Sequence, residues 1–399
     1  KLFNSSKVIN KFYGKRNMNI LFICSRSNWH VDLWTKHFTK DHKVYLFSDK
    51  EDYLTNQAYQ NIAVIESEGV FGRFLNLFKI KSHMLSQLNK LVSARIYAKQ
   101  VDDIIEEYDI DIVHAHSLYY GYLASFIKSN TTIVFTPMGS DIILNAQSNR
   151  LYHHMALNAF KRANITTGDS LLLQKQGYKV GAKKNDNYII QNGVDTSIFF
   201  PKNNNIAQKY GVDQDEVLIF SPRGITPIYN IDIIIDGLNL LIKKGYRIKC
   251  MFAFAFGNEY SDKIKKKIEE YGIDSYVIWL GYLSYNEMAD HYNAADIIVS
   301  IPSSDSSPKS VYEAMFCKKP IVVSDLEWSY ELLGDCDCLE RTGVRDSNQL
   351  CNSIEKIITD PIYSQKLAKN ALLSAHKYFD YEKNMIQMEE IMTEKIYEK

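Results

Sequence analysis

Short apolar runs of strand length recur along this chain, each parted from the next by a segment long enough for one helix, and the series occurs twice. MNILFIC, KVYLF, NIAVI, DIVHAH, TIVFTP, ANITTGD and NYIIQNG make the first series; EVLIFSPRG, IKCMFAFAFG, SYVIWLG, ADIIVSI and KPIVVSD make the second. Continuously apolar runs suit strands buried on both faces, and strand–helix alternation leads to a parallel sheet flanked by helices. The expected fold class is α/β, with two doubly wound, Rossmann-like domains. Turn chemistry collects between the series at Asn192-Gly193 and Pro201, which marks the join. The expected divisions are an N-terminal extension over 1–17, a first domain over 18–190, a second over 191–365 and a charged helical tail over 366–399. Ligand is expected at the carboxyl ends of the strands, in the cleft between the domains.

Composition excludes several classes. A chain of 399 residues exceeds the usual single-core size, and 46% hydrophobic with 13% aromatic residues can fill two cores. Lys+Arg and Asp+Glu both number 47, so no global field favours nucleic acid, and no nucleic-acid motif is present. The loop after the first strand, SRSNWH, holds no glycine, which argues against NAD or FAD there. Six cysteines (Cys24, Cys250, Cys317, Cys336, Cys338, Cys351) show neither paired metal spacing nor a disulfide framework, and with no apolar run of spanning length a cytoplasmic location is expected.

The stretch PSSDSSPKSVYEAMFCKKPIVVSD places Asp305 and Glu313 eight positions apart around a strand-to-helix turn, with Pro308 suited to the first helical residue. A helix start presents unpaired N–H groups and partial positive charge, so Ser306 to Val311 could hold a pyrophosphate without a metal ion, and the two carboxylates would bind sugar hydroxyls. The alternative is structural: Ser310 and Glu313 as a capping box and Asp305 as a turn residue. Arg223, directly after the strand EVLIFSP, carries a planar fork suited to a diphosphate. In DIVHAHS, His114 and His116 share one strand face by the period of two. Asp141, in TPMGSD, either orients an acceptor hydroxyl or caps a helix.

PSSDSSPKSVYEAMFCKKPIVVSD resembles the signature of the family 4 retaining glycosyltransferases, the glycosyl transferases group 1, in which an acidic residue and a Glu bracket seven others. SPRGITPIYNID resembles their donor-phosphate loop; WLGYLSYNEMADHYNAADIIVSIPSSD, IIQNGVDTSIFFP, DIVHAHS and TPMGSDI resemble further blocks in the same order, from roughly Met18 to Pro361. The resemblance implies a GT-B fold and a sugar moved from a nucleoside-diphosphate-sugar to a glycan or lipid-linked acceptor, in cell-surface polysaccharide synthesis and without a metal. It implies that Asp305 contacts the donor sugar, Glu313 the ribose, and the backbone amides of Ser310 and Val311 the pyrophosphate. It implies further that Arg223 binds the diphosphate, that His116 faces the transferred sugar or acceptor, and that the tail crosses back to the first domain. Two departures stand out. Many relatives carry a Lys a few residues after the Arg, where this chain has Ile228, Tyr229 and Asn230, so Tyr229 or Asn230 is expected to donate a neutral hydrogen bond instead; and Asp305 replaces the commoner Glu.

Phe71 to Gln100 is basic and apolar without an acidic residue, suited either to docking on anionic lipid or to packing on the core with a solvated basic face. Two other functions fit the same architecture: a nucleotide-sugar epimerase, and a catalytically silent sugar-nucleotide-binding scaffold.

Overall fold

A computed structural model describes residues 17–25, 29–48, 63–66, 83–253 and 259–398 and divides the chain into two compact units. Unit one is Lys1–Asn192 with Glu382–Lys399; unit two is Gly193–Tyr381.

Seven strands build the sheet of unit one: β1 (Asn19–Ile23), β2 (Lys43–Ser48), β3 (Ala63–Glu66), β4 (Ile112–His116), β5 (Thr132–Thr136), β6 (Ile165–Gly168) and β7 (Asn187–Ile189). Their order is β3-β2-β1-β4-β5-β6-β7, and every pair is parallel. The helix His83–Glu107 covers one face, burying Ala94, Tyr97, Ala98, Val101, Ile104 and Ile105 in the core that also holds Leu21 and Val113. Arg95 and Lys99 stay exposed, so the described part of the basic stretch is a core-packed helix with a solvated face; residues 71–82 of that stretch lie outside the described residues.

The terminal helix Tyr381–Tyr397 is tied to unit one by polar contacts. Glu389 sits between two buried imidazoles, 3.2 Å from His37 Nε2 and 3.3 Å from His42 Nε2. Lys395 pairs with Asp186 at 3.0 Å, and Asn384 donates to the Gln191 carbonyl at 3.1 Å. The crossing back therefore falls at Tyr381/Glu382, and the preceding helix Pro361–Tyr378 remains in unit two, where Ala371 and Ala375 share a core with Val311 and Met315. The sequence division at 365/366 lies one helix too early, because the charged pattern of the tail covers both helices alike.

Unit two holds β8 (Val217–Ser221), β9 (Ile248–Ala253), β10 (Val277–Gly281), β11 (Ile297–Ser300), β12 (Ile321–Ser324) and β13 (Glu340–Thr342). All pairs are parallel in the order β10-β9-β8-β11-β12-β13. Alternate side chains enter cores on opposite faces: Leu218 and Phe220 on one, Ile219 on the other, as the pleat requires. The order reverses between β8 and β11, and loops leaving adjacent strands in opposite directions open a crevice at that switch point. Among the described residues no helix is long and apolar enough to cross a membrane.

Candidate functional site

Arg223 leaves β8 and Asp305 leaves β11, so the switch point of unit two carries both. Arg223 Nη2 donates to Asp305 Oδ2 at 2.8 Å and Nη1 to Ser310 Oγ at 3.0 Å, while the guanidinium carbon lies 4.2 Å from the centre of the Tyr229 ring. The pair is mostly buried, with side-chain exposures of 13% and 14%. Asp305 Oδ1 also accepts from its neighbour's amide, Ser306 N, at 2.9 Å. A planar cation with bonds at its edge and a ring against its face has one orientation available, which is the precondition for meeting a diphosphate.

The helix Lys309–Phe316 begins behind this pair, with Pro308 as its N-cap rather than its first turn and without any side-chain cap. The capping-box alternative is therefore absent: Ser310 is inside the helix and its hydroxyl serves Arg223. Val311 must also be corrected, since its amide donates to the Pro308 carbonyl at 2.9 Å and is not open to a pyrophosphate. Of the two amides expected there, Ser310 N–H has no acceptor among the described residues.

Glu313, one turn further on, is buried and its Oε2 accepts from the Tyr292 hydroxyl at 3.0 Å. Burial raises its carboxyl from 4.5 to about 7, against the pull of the Lys309 ammonium, the Tyr292 hydroxyl and Arg223. Lys309, absent from the sequence expectation, lies over the Tyr285 ring with Nζ 4.7 Å from its centre, and burial lowers its ammonium below the usual lysine range despite the nearby Glu313 and Asp195.

Asn230 is not free to meet a phosphate. It is fully buried in the left-handed region (φ 53°, ψ 41°), donates from Nδ2 to the Ile301 carbonyl at 2.8 Å and accepts at Oδ1 from Ser303 Oγ at 3.0 Å and Arg345 Nη1 at 2.8 Å. Tyr229 offers its ring to Arg223, a support beside the hydroxyl from which the neutral hydrogen bond is expected.

In unit one His116 ends β4, buried, with its ring 4.2 Å from that of His114, 5.5 Å from Trp34 and 5.7 Å from Phe22. The two histidines do share a face. His114 Nε2 and Thr136 Oγ1 are 2.8 Å apart, and burial, with His116 beside it, holds the His114 imidazole well below the usual histidine range. Trp34 Nε1 donates to Asn192 Oδ1 at 2.8 Å. Asp141 Oδ2 accepts from Leu118 N at 2.9 Å and Met138 N at 3.4 Å. Of its two expected roles, the structure shows the cap: it serves the first amide of the helix Leu118–Ala124, whose N-cap Ser117 provides no side-chain bond. Arg26, in the loop SRSNWH that follows β1, lies outside the described residues. Among the described residues no group of three or more His, Cys, Asp or Glu is placed to hold a metal ion.

Two family models match this chain: "Glycosyl transferases group 1" over residues 202–373 and "Glycosyl transferase 4-like" over residues 19–170. The putative glycosyltransferase EpsD of Bacillus subtilis (strain 168) is 22% identical over 294 residues, covering 70% of this chain and 76% of that protein. Among solved structures, HepE of Anabaena in complex with UDP and glucose aligns with a TM-score of 0.74 at 19% identity, covering 95% of this chain and 100% of that one. Sucrose-phosphate synthase of Thermosynechococcus elongatus aligns with a TM-score of 0.76 at 14% identity, covering 96% and 100%.

Proposed function

This chain belongs to the group 1 glycosyl transferases and has the GT-B fold, and we propose that it transfers a sugar, with retention of configuration and without a metal, from a nucleoside-diphosphate-sugar to an acceptor hydroxyl. One observation carries the reading: Arg223 joins Asp305 and Ser310 at the β8/β11 switch point, one helical turn from Glu313. A cation, a helix-start amide and two carboxylates thereby gather where a diphosphate linked to two sugars has to be held.

In the proposed reaction the bond from the sugar's anomeric carbon to the diphosphate oxygen breaks and the acceptor oxygen bonds to that carbon on the same face. The acceptor proton passes to the departing diphosphate oxygen. Arg223 and the Ser310 amide stabilise the charge that develops on the diphosphate, the kind of preoriented electrostatics that contributes most to such barriers. Asp305 takes hydroxyls of the donor sugar and Glu313 those of the ribose. His116 faces the transferred sugar or the acceptor.

The solved neighbour HepE is described with UDP, with UDP and glucose, and with UDP-glucose, which makes uridine the first base to test. The acceptor is proposed to be a glycan or a lipid-linked carrier in surface polysaccharide synthesis. Exposed Arg95 and Lys99 would be the described residues of the basic stretch that approach anionic lipid. The test is acceptor-dependent release of nucleoside diphosphate from a panel of sugar nucleotides in the presence of a chelator, with product configuration read by NMR. Release that needs no acceptor, or none with any donor while the nucleotide still binds, would count against transfer.

A further inference from the structure

We propose that Arg345 is a positioning residue that holds Arg223 in register for the donor diphosphate, acting through Asn230 and Tyr229. The proposal rests on the reading of Arg223 as a diphosphate ligand.

Arg345 follows β13, two strands away from β11 and three from β8 in the sheet order, yet its guanidinium reaches the loop that follows β8. It does so from a left-handed backbone (φ 56°), a conformation that a bulky residue rarely adopts without purpose. The helices that follow the two loops, Ile231–Lys243 and Ser347–Thr359, share one core through Ile234, Leu238, Leu350 and Ile354, which brings the loops together. Arg345 then divides its fork. Nη1 donates to Asn230 Oδ1 at 2.8 Å and Nη2 to Asp232 Oδ2 at 2.7 Å. Asp232 is held from its other side by the Tyr260 hydroxyl, 2.7 Å from Oδ1.

Asn230 is where three loops meet. Its side chain bonds Ile301 and Ser303 of the β11 loop and Arg345 of the β13 loop, while Ser303 N donates to the Ile228 carbonyl at 2.8 Å. Tyr229 lies between Ile228 and Asn230, so both its flanks are pinned, and its ring is the surface on which Arg223 rests. Without Arg345, Asn230 loses one of its three side-chain partners, and the flank of Tyr229 that it fixes is held by two bonds instead of three. The Arg345 side chain is 49% exposed, and an exposed ion pair contributes little to global stability. Its removal should therefore be felt in ligand binding before it is felt in folding.

The experiment measures affinity for UDP, ADP and GDP, and for the matching nucleoside monophosphates, in wild type, Arg345→Ala, Arg345→Lys, Arg223→Ala and the Arg223→Ala/Arg345→Ala double variant, with apo melting as the folding control. Expected is a loss of roughly tenfold or more in diphosphate affinity for Arg345→Ala, unchanged monophosphate affinity, partial recovery in Arg345→Lys, and a double variant no weaker than Arg223→Ala alone, the non-additivity of residues acting through one another. Unchanged diphosphate affinity, equal losses for mono- and diphosphate, or additive losses in the double variant would overturn it. Wild type that binds no diphosphate would remove the donor-site reading itself, an outcome distinct from wild-type binding that survives Arg345→Ala.

Discussion

Arg223 and Asp305 are paired at 2.8 Å across the β8/β11 switch point, each mostly withdrawn from water. The pair couples the group proposed to hold the leaving diphosphate to the group proposed to hold the transferred sugar, so a donor that draws Arg223 toward its phosphates also releases one oxygen of Asp305.

Arg223→Ala removes the charge, the two hydrogen bonds and the contact with Tyr229 together. Turnover should fall ~10²-fold or more, as it does when a donor aimed at developing negative charge is lost. Arg223→Lys should recover little, because an ammonium cannot bond Asp305 and Ser310 in a plane while lying flat on a ring. Steady-state kinetics with the identified donor decides; near wild-type turnover in the Lys variant would show that charge alone suffices.

Glu313 gives a dependence on pH with a definite sign. Its carboxyl is raised from 4.5 to about 7, first by burial, so between those values the folded chain keeps a proton that the unfolded chain has lost. Stability contributed at this site therefore falls as pH rises from about 4.5 to about 7 and stays level above. Glu313→Gln keeps an acceptor for the Tyr292 hydroxyl and removes the titration. By urea unfolding it should match wild type at pH 4.5 and exceed it at pH 8 by on the order of 3 kcal/mol, from ~1.4 kcal/mol for each tenfold change in proton affinity. Equal pH slopes in both proteins would show that Glu313 holds its proton no more tightly in the folded chain than in the unfolded one.

The sequence shows the fold wherever a pattern is local. Runs such as MNILFIC and ADIIVSI carry their own period, and the order of two such series leads to two parallel sheets. It also places Arg223, Asp305 and Ser310 at strand ends and a helix start, which is enough to bring them together. What it does not show depends on contacts from elsewhere in the chain. β13 is three residues, ERT, too short and polar to read as a strand, so Arg345 behind it is invisible. Asn230 reads as a neutral donor in place of a lysine until its left-handed backbone turns the amide onto Ile301. The use of the Val311 amide by Pro308 and the burial of Lys309 against Tyr285 likewise follow from how the loop closes, which spacing alone does not encode.

Asp141 separates a cap from a catalytic group. Its Oδ2 takes the Leu118 amide, a role an asparagine carbonyl can fill. Asp141→Ala should cost about 1 kcal/mol of stability, and Asp141→Asn a few tenths. If capping is its whole function, Asp141→Asn retains transfer activity; stability kept with activity lost would show that the charge itself takes part. Thermal melts run alongside transfer assays distinguish the two.

Gly193 begins unit two, and the backbone after it pairs with the residues that end that unit. Val194 N donates to the Phe379 carbonyl at 2.8 Å and Tyr381 N to the Val194 carbonyl at 3.3 Å. Its φ is 71°, and a Cβ built there would lie 2.5 Å from the Tyr381 Cα and 2.7 Å from the Tyr381 nitrogen, both backbone atoms that no rotamer change can move. Gly211 supplies the control, with φ 66° and nothing within 4 Å of such a Cβ. Gly211→Ala should therefore show the left-handed backbone cost alone, ~1–2 kcal/mol. Gly193→Ala should exceed it by a further ~1 kcal/mol or more, the cost of an overpacked site. If denaturant melts give the two variants equal losses, the close approach of Tyr381 relaxes freely; a larger loss at Gly193 means that the segments entering and leaving unit two are held against each other through an atom-sized gap that only glycine leaves open.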